Sequence, residues 1–254
     1  CKEMSDTKIE TMCAECRDYK SSAVAEVTDD ESLKFICPRG HTFHAVLRTP
    51  LYVPIFENAL RAYDDEEYYE CYLSAVTSLE KFRNTAIKAY FWSTNNHKPM
   101  DKIIDKSHAI KYSERSIASF ATISLLLFGE SAIPMLNKMY DSTEKRNRVI
   151  HGTLIPTKGL CEEVIKNVYQ VVKFFQISWI DDDGYCPISN YQDAIATDNY
   201  EAIISNKKEH ELAVLVGKLY TLSAIQVVHK DKELDVEFNR SFKIIMDIHH
   251  RVFW

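Results

Sequence analysis

Apolar and polar residues alternate along the first fifty positions, and then the period changes. AVAEV (23–27), LKFIC (33–37) and HTFHAVLR (41–48) each place apolar side chains at every second position, the mark of short, half-buried strands. TDDES (28–32) is a turn-rich connector, and Pro38 and Gly40 set a tight turn inside CPRGH. From residue 51 the repeat becomes helical. IFENALRAYDD predicts a short helix and residues 66–93 a long one, with Tyr69, Tyr72, Val76, Leu79, Phe82 and Ala86 as its buried stripe. TNNHKP (94–99) ends it. Helices over 101–112 and 114–128 follow. The second is apolar nearly all round, which predicts a central position.

Pro134 suits a first helical turn, and that helix runs through MLNKMYDSTEKRNRVIH to Gly152. Another covers 160–180 and stops at DDDG (181–184). Beyond it, DAIATDNYEAIISNK and VEFNRSFKIIMDIHHRVFW read as helical. ELAVLVGKLYTLSAIQVVH fits a helix or strands, because its β-branched residues favour extended chain. The expected architecture is mainly α. A small β-rich module covers 1–50, a helical bundle 51–184, and a mainly helical extension packed on the bundle 185–254.

Composition supports long elements: only 6 Gly and 7 Pro in 254 residues disfavour a sandwich of many short strands. The net charge of −6 excludes a generally basic nucleic-acid coat, so any such contact must come from a local patch. The most apolar run, ISLLLFG (123–129), is too short to span a bilayer, and the expected compartment is the cytosol. Seven cysteines in a chain this long argue against a disulfide framework. Cys71, Cys161 and Cys186 lie in or beside apolar segments and read as buried, inert thiols.

The first chemical constellation is Cys13, Cys16, Cys37 and His41, spaced C-x2-C, twenty residues, C-x3-H. Zinc takes four soft or borderline ligands in a tetrahedron, and each pair here can come from one tight turn. The metal would also supply folding energy that a module of about fifty residues lacks. His44 is a rival fourth ligand; His41 is preferred because the turn returns it toward Cys37. Four protein ligands imply a closed, structural site and leave no open position for chemistry.

The second constellation is EKRNRVIHG (144–152). Asn147 and His151 are four apart and share a helix face, and Arg146 has the reach to join them. These groups suit RNA cleavage without a metal. The ribose 2′-hydroxyl can attack its own phosphate, a histidine can move the proton, and an arginine can hold the growing negative charge. RNTAIK (83–88) is the contrast: Arg83 and Asn84 stand in the same relation, but Lys88 stands where the histidine would be.

R-N-x3-H just before a glycine, late in a run of helices, resembles the signature of the HEPN superfamily, with Arg146, Asn147 and His151 in place. The resemblance covers about half the chain. It implies a HEPN-like helical bundle and a metal-independent endoribonuclease that leaves a 2′,3′-cyclic phosphate and a 5′-hydroxyl. It further implies a homodimer whose two motifs face a shared cleft. The implied setting is anti-phage defence or a toxin system, with tRNA or mRNA as substrate. An antitoxin, an activator or a phage-derived partner is implied as control. The competing expectation is a non-catalytic zinc-containing adaptor that dimerises through the bundle. A zinc-dependent hydrolase is disfavoured by the four-ligand spacing.

Three further features read as structural. Asp181, Asp182 and Asp183 form a solvated turn that ends a helix, His249 and His250 are expected at the surface or an interface, and Glu144 either orients Arg146 or is a plain exposed glutamate.

Overall fold

The computed structural model describes residues 8–13, 15–16, 22–26, 32–98, 100–108, 110–181, 184–206, 213–216, 225, 242–243, 245–247 and 249–250. The protein is mainly helical, with one small sheet. It divides into two compact units. One comprises residues 1–50 and 192–221, the other 51–191 and 222–254, so the segment 185–254 is shared between them.

The sheet unit holds β1 (Lys8–Met12), β2 (Ser22–Glu26), β3 (Ser32–Ile36), β4 (Thr42–Leu47) and β5 (Ala213–Val216). Their spatial order follows chain order. The first four pair antiparallel, and β5 pairs with β4 in parallel. β2, β3 and β4 lie where the alternating pattern predicts them. β1 and β5 are additions, and β5 resolves part of the ambiguous segment after residue 210 as strand. Phe35 and Phe43 face each other across β3 and β4, stacked at 5.2 Å and fully buried, and form the apolar centre of this unit.

The helical unit contains α1 (Tyr52–Asp64), α2 (Tyr68–Thr94), α3 (Asp101–Ser107), α4 (Ser113–Phe128), α5 (Ile133–Ile150) and α6 (Lys158–Ser178). A 3-10 turn (Gly129–Ala132) joins α4 to α5, and α7 (Pro187–Asn206) begins in this unit and continues into the sheet unit. α3 stops five residues earlier than predicted, where His108 takes a left-handed φ of +57° and breaks the ladder. Described residues of the C-terminal segment, 242–243, 245–247 and 249–250, are helical, as its pattern predicts.

The core lies between α2 and α6. α2 packs against α1, α4, α5 and α6. Phe82, Phe120 and Phe175 form an aromatic cluster, with Phe82 edge-on to both others at 6.2 and 5.6 Å and Phe120 stacked on Phe175 at 4.8 Å. Two expectations are corrected. Tyr69 is 53% exposed, and the inward face of α2 runs instead through Cys71, Tyr72, Ala75, Val76, Leu79 and Phe82. α4 is not central: Leu125 and Leu126 face outward, and Ser116 and Ser124 are buried on its inner side. A buried serine is cheap there because Ser124 Oγ donates to the Phe120 carbonyl at 2.7 Å and Ser116 Oγ to Asn84 Oδ1 at 2.7 Å. The continuous helical run Ser113–Ile150 is long and apolar enough to cross a bilayer, which the seven-residue run considered from sequence is not; a third of its most apolar stretch is buried inside the protein.

Candidate functional site

The register of the sheet brings both cysteine turns to one end. Met12 is opposite Ser22, Val24 opposite Ile36, and Ile36 opposite Thr42. Cys13 directly follows β1, Cys37 directly follows β3, and His41 directly precedes β4. The CPRGH turn closes on itself: the Gly40 amide donates to the Cys37 carbonyl at 2.8 Å and the Cys37 amide to the His41 carbonyl at 2.9 Å. Gly40 makes this possible with a φ of +86°, a conformation other residues resist. The opposite turn is braced by the Cys16 amide, 3.5 Å from Cys13 Sγ.

Cys13, Cys16, Cys37 and His41 place their ligand atoms within 4.8 Å of one another. Cys16 Sγ is 3.8 Å from Cys37 Sγ. His41 Nδ1 lies 3.2, 3.5 and 3.7 Å from the sulfurs of Cys16, Cys37 and Cys13. Tetrahedral zinc, with bonds of about 2.3 Å to sulfur and 2.0 Å to nitrogen, spaces its ligands by roughly 3.8 Å between sulfurs and 3.5 Å between sulfur and nitrogen. The donor set and the spacing therefore fit zinc. Of the two candidate histidines, the cluster contains His41; His44 lies within β4.

The electrostatics differ between two of the cysteines. Burial pushes the Cys37 thiol up, but hydrogen bonds from the backbone at His41 and Arg39, with those from Cys13 and Cys16, bring it down to about 7. Cys16 moves the other way, raised by burial and by its neighbouring thiols. The far nitrogen of His41, Nε2, lies 3.8 Å from Glu15 Oε2.

The second constellation sits at the end of α5. That helix finishes in a Schellman motif: the Gly152 amide donates to the Val149 carbonyl at 3.0 Å and the Thr153 amide to the Arg148 carbonyl at 2.9 Å, with Gly152 at φ +69°. His151 is the cap residue, its amide bonded to the Asn147 carbonyl at 3.0 Å and its side chain exposed. Asn147 is exposed one turn earlier, and Arg146 is half-buried, on the stripe that carries Met139, Ser142, Thr143 and Val149 inward. Arg146 Nη1 donates to Asn147 Oδ1 over a long 3.4 Å. Among the described residues no hydrogen bond joins the His151 ring to either one, and no ion pair joins Glu144 to Arg146. Lys145 is occupied: it lies 2.8 Å from both Asp141 and Glu163.

Of the remaining candidates, Asp181 is structural. Its carboxylate accepts from the Tyr185 amide at 2.7 Å and from Asn190 Nδ2 at 3.0 Å; Asp182 and Asp183 lie outside the described residues. Cys71 and Cys161 are fully buried, and Cys161 Sγ donates to the Tyr68 carbonyl at 3.2 Å. Cys186 is half-buried, its thiol pushed up by burial.

His249 corrects the expectation of a surface or interface histidine. It is 2% exposed, with Nδ1 3.0 Å from the fully buried Glu57 and Nε2 3.5 Å from Asp64. His250 is exposed and reaches Asp64 at 3.0 Å. The signal in the sequence was Glu57 itself, a carboxylate on the apolar stripe of α1 beside Val53, Phe56 and Leu60. No family model, curated protein or solved structure matches the chain.

Proposed function

We propose that the protein is a metal-independent endoribonuclease of the HEPN type, whose catalytic residues are Arg146, Asn147 and His151. The observation that carries this reading is the end of α5, where Asn147 and His151 share an exposed helix face and Arg146 reaches Asn147 from the inner side. The Schellman motif fixes the backbone of His151 while leaving its ring free to meet a substrate.

In the proposed reaction the ribose 2′-oxygen attacks the adjacent phosphorus as a histidine takes its proton. The bond from phosphorus to the 5′-oxygen breaks, and that oxygen receives a proton from a histidine acting as acid. The products are a 2′,3′-cyclic phosphate and a 5′-hydroxyl. Arg146 holds the negative charge that builds on the phosphoryl oxygens, and Asn147 donates to one of them.

One chain offers one motif histidine, whereas the reaction needs a base and an acid. A homodimer supplies His151 twice. The exposed stripe Ile133, Tyr140 and Asn147, at seven-residue spacing, supports such a contact, because it carries apolar surface to the motif. The substrate is tRNA or mRNA, the setting anti-phage defence or a toxin system in the cytoplasm, and control comes from an antitoxin, an activator or a phage-derived partner.

Cys13, Cys16, Cys37 and His41 would hold a structural Zn2+, which would tie the two turns of the sheet unit together. A specific observation favours the second reading, a zinc-containing adaptor without catalysis: the cysteine–histidine cluster is the more complete of the two constellations.

The test is incubation of the purified protein with total cellular RNA in EDTA, beside His151→Ala, with the new ends mapped. The expected result is cleavage by the wild type alone, leaving cyclic phosphate ends. Equal cleavage by both removes His151 from the chemistry. No cleavage by either, with RNA or protein binding lost on substitution of Cys37, establishes the adaptor.

A further inference from the structure

The side chains of the cysteine–histidine cluster are not equally shielded. Cys13 and Cys37 are each 2% exposed, whereas Cys16 is only half-buried and is the accessible sulfur. Cys16 Sγ is 3.8 Å from Cys37 Sγ, and the two residues stand 21 positions apart, on the turns that follow β1 and β3. A disulfide holds its sulfurs at about 2.0 Å, so a closure of less than about 2 Å would bond them. Cys13 is placed differently: it shares its turn with Cys16, and its sulfur lies 3.5 Å from the Cys16 amide.

A sulfur bound to zinc is held as the thiolate, the form that hydroperoxides oxidise. The thiolate within reach of solvent is that of Cys16. Its sulfur attacks one oxygen of a hydroperoxide. The O–O bond breaks, the sulfur becomes a sulfenic acid, and the second oxygen leaves as hydroxide or alkoxide. The Cys37 thiolate then attacks that sulfur, the S–O bond breaks, hydroxide leaves and a disulfide forms. Two electrons pass in all, from the two sulfurs to the peroxide bond. The metal loses two of its four ligands, and Cys13 with His41 cannot close a tetrahedron alone.

We propose that Cys16 and Cys37 are an oxidisable pair: a hydroperoxide converts them to a disulfide and so discharges the zinc. Cys16 is oxidised first, and Cys37 resolves it. The discharge of zinc rests on the reading of the four residues as a metal site; the pair rests on the 3.8 Å contact and on the exposure of Cys16. The new bond joins the same two turns that the metal joins, so the sheet unit exchanges one cross-link for another. Dithiothreitol reverses the change, its own two thiols being oxidised as the two of the protein are restored.

The experiment uses the full chain, loaded with zinc and treated with hydrogen peroxide. Released zinc is read with a metal-sensitive dye, and the sulfur bonds are mapped by mass spectrometry of peptides cut without reduction. The expected result is about one zinc released for each hydroperoxide consumed, with Cys16 and Cys37 in one cross-linked peptide. Dithiothreitol with fresh zinc should restore the metal. Cys16→His keeps a four-ligand set of two cysteines and two histidines, which zinc accepts. Its remaining thiolates, Cys13 and Cys37, are the buried ones, so peroxide should release zinc at least about tenfold more slowly.

A disulfide between Cys13 and Cys16 in place of the expected one overturns the proposal, as does zinc release with no bond between Cys16 and Cys37. Release from Cys16→His at the wild-type rate does the same. Should that variant fail to fold, the wild-type peptide map decides alone. The two readings fail separately. If the chain binds no zinc and peroxide still joins Cys16 to Cys37, the metal reading falls and the pair stands; if zinc is bound and peroxide leaves both thiols reduced, the pair falls and the metal site stands.

Discussion

His41 turns Nδ1, not Nε2, toward the thiols: Nδ1 is 3.2 Å from Cys16 Sγ, and Nε2 is left facing Glu15. The expected metal content is one zinc per chain by elemental analysis. Cobalt substituted into the site should give the strong visible bands of a tetrahedral thiolate complex. His41→Cys should retain the metal, since a fourth thiolate fits the same tetrahedron. Cys37→Ser should lose it, and His44→Ala should not. Loss of cobalt binding in His44→Ala with retention in His41→Ala would reverse the assignment.

A glycine ends α5 in a conformation that other residues adopt only under strain. Gly152 has a φ of +69°, and an added methyl group would meet nothing within 4 Å. Any cost of Gly152→Ala is therefore backbone strain and not a clash. The expected destabilisation is about 1 kcal/mol, read from denaturant unfolding. Because the strain falls on the residue next to His151, RNA cleavage should drop by more than the loss of stability accounts for.

Which parts were legible in the sequence depended on how each residue is satisfied. The C-x2-C and C-x3-H pairs were readable because each is local, and the sheet register alone brings their turns together. RN-x3-H was readable for the same reason: four residues make one helical turn. Arg83 reads only as a motif that lacks its histidine; its full burial depends on how α2 packs, which no local spacing records. α4 misled because an apolar helix was expected inside, whereas Leu125 and Leu126 stand on the outer face. The pairing of His249 with Glu57 joins residues 192 positions apart, which periodicity cannot register.

That pairing makes a sharp energetic prediction. Glu57 is fully buried and His249 is 2% exposed. Removing either partner takes away a short polar contact in a dry setting. His249→Leu should cost about 1–3 kcal/mol, and Glu57→Gln a comparable amount. The double variant should cost clearly less than the two single costs combined, with a coupling of roughly 1–3 kcal/mol in a double-mutant cycle. Strict additivity would mean that the two groups do not interact in solution.

Lys173 sets a pH dependence whose direction can be worked out. It is 3% exposed, its Nζ is 3.0 Å from Gln176 Oε1, and burial brings its ammonium down to about 7 from the usual 10.5. Below pH 7 the group is protonated in both folded and unfolded chains, and the folded state bears the full cost of burying the charge. Between about pH 7 and 10.5 the unfolded chain keeps its proton while the folded one releases it, so the unfolded state binds more protons and stability rises with pH. Lys173→Met removes the titration and keeps most of the volume. At pH 6.5 the variant should be more stable than the wild type, by about 1–4 kcal/mol. That advantage should shrink steadily toward pH 10. Paired denaturant titrations at four or five pH values measure it. A difference independent of pH would mean that Lys173 stays charged in the folded protein, held by a counter-charge strong enough to overcome its burial.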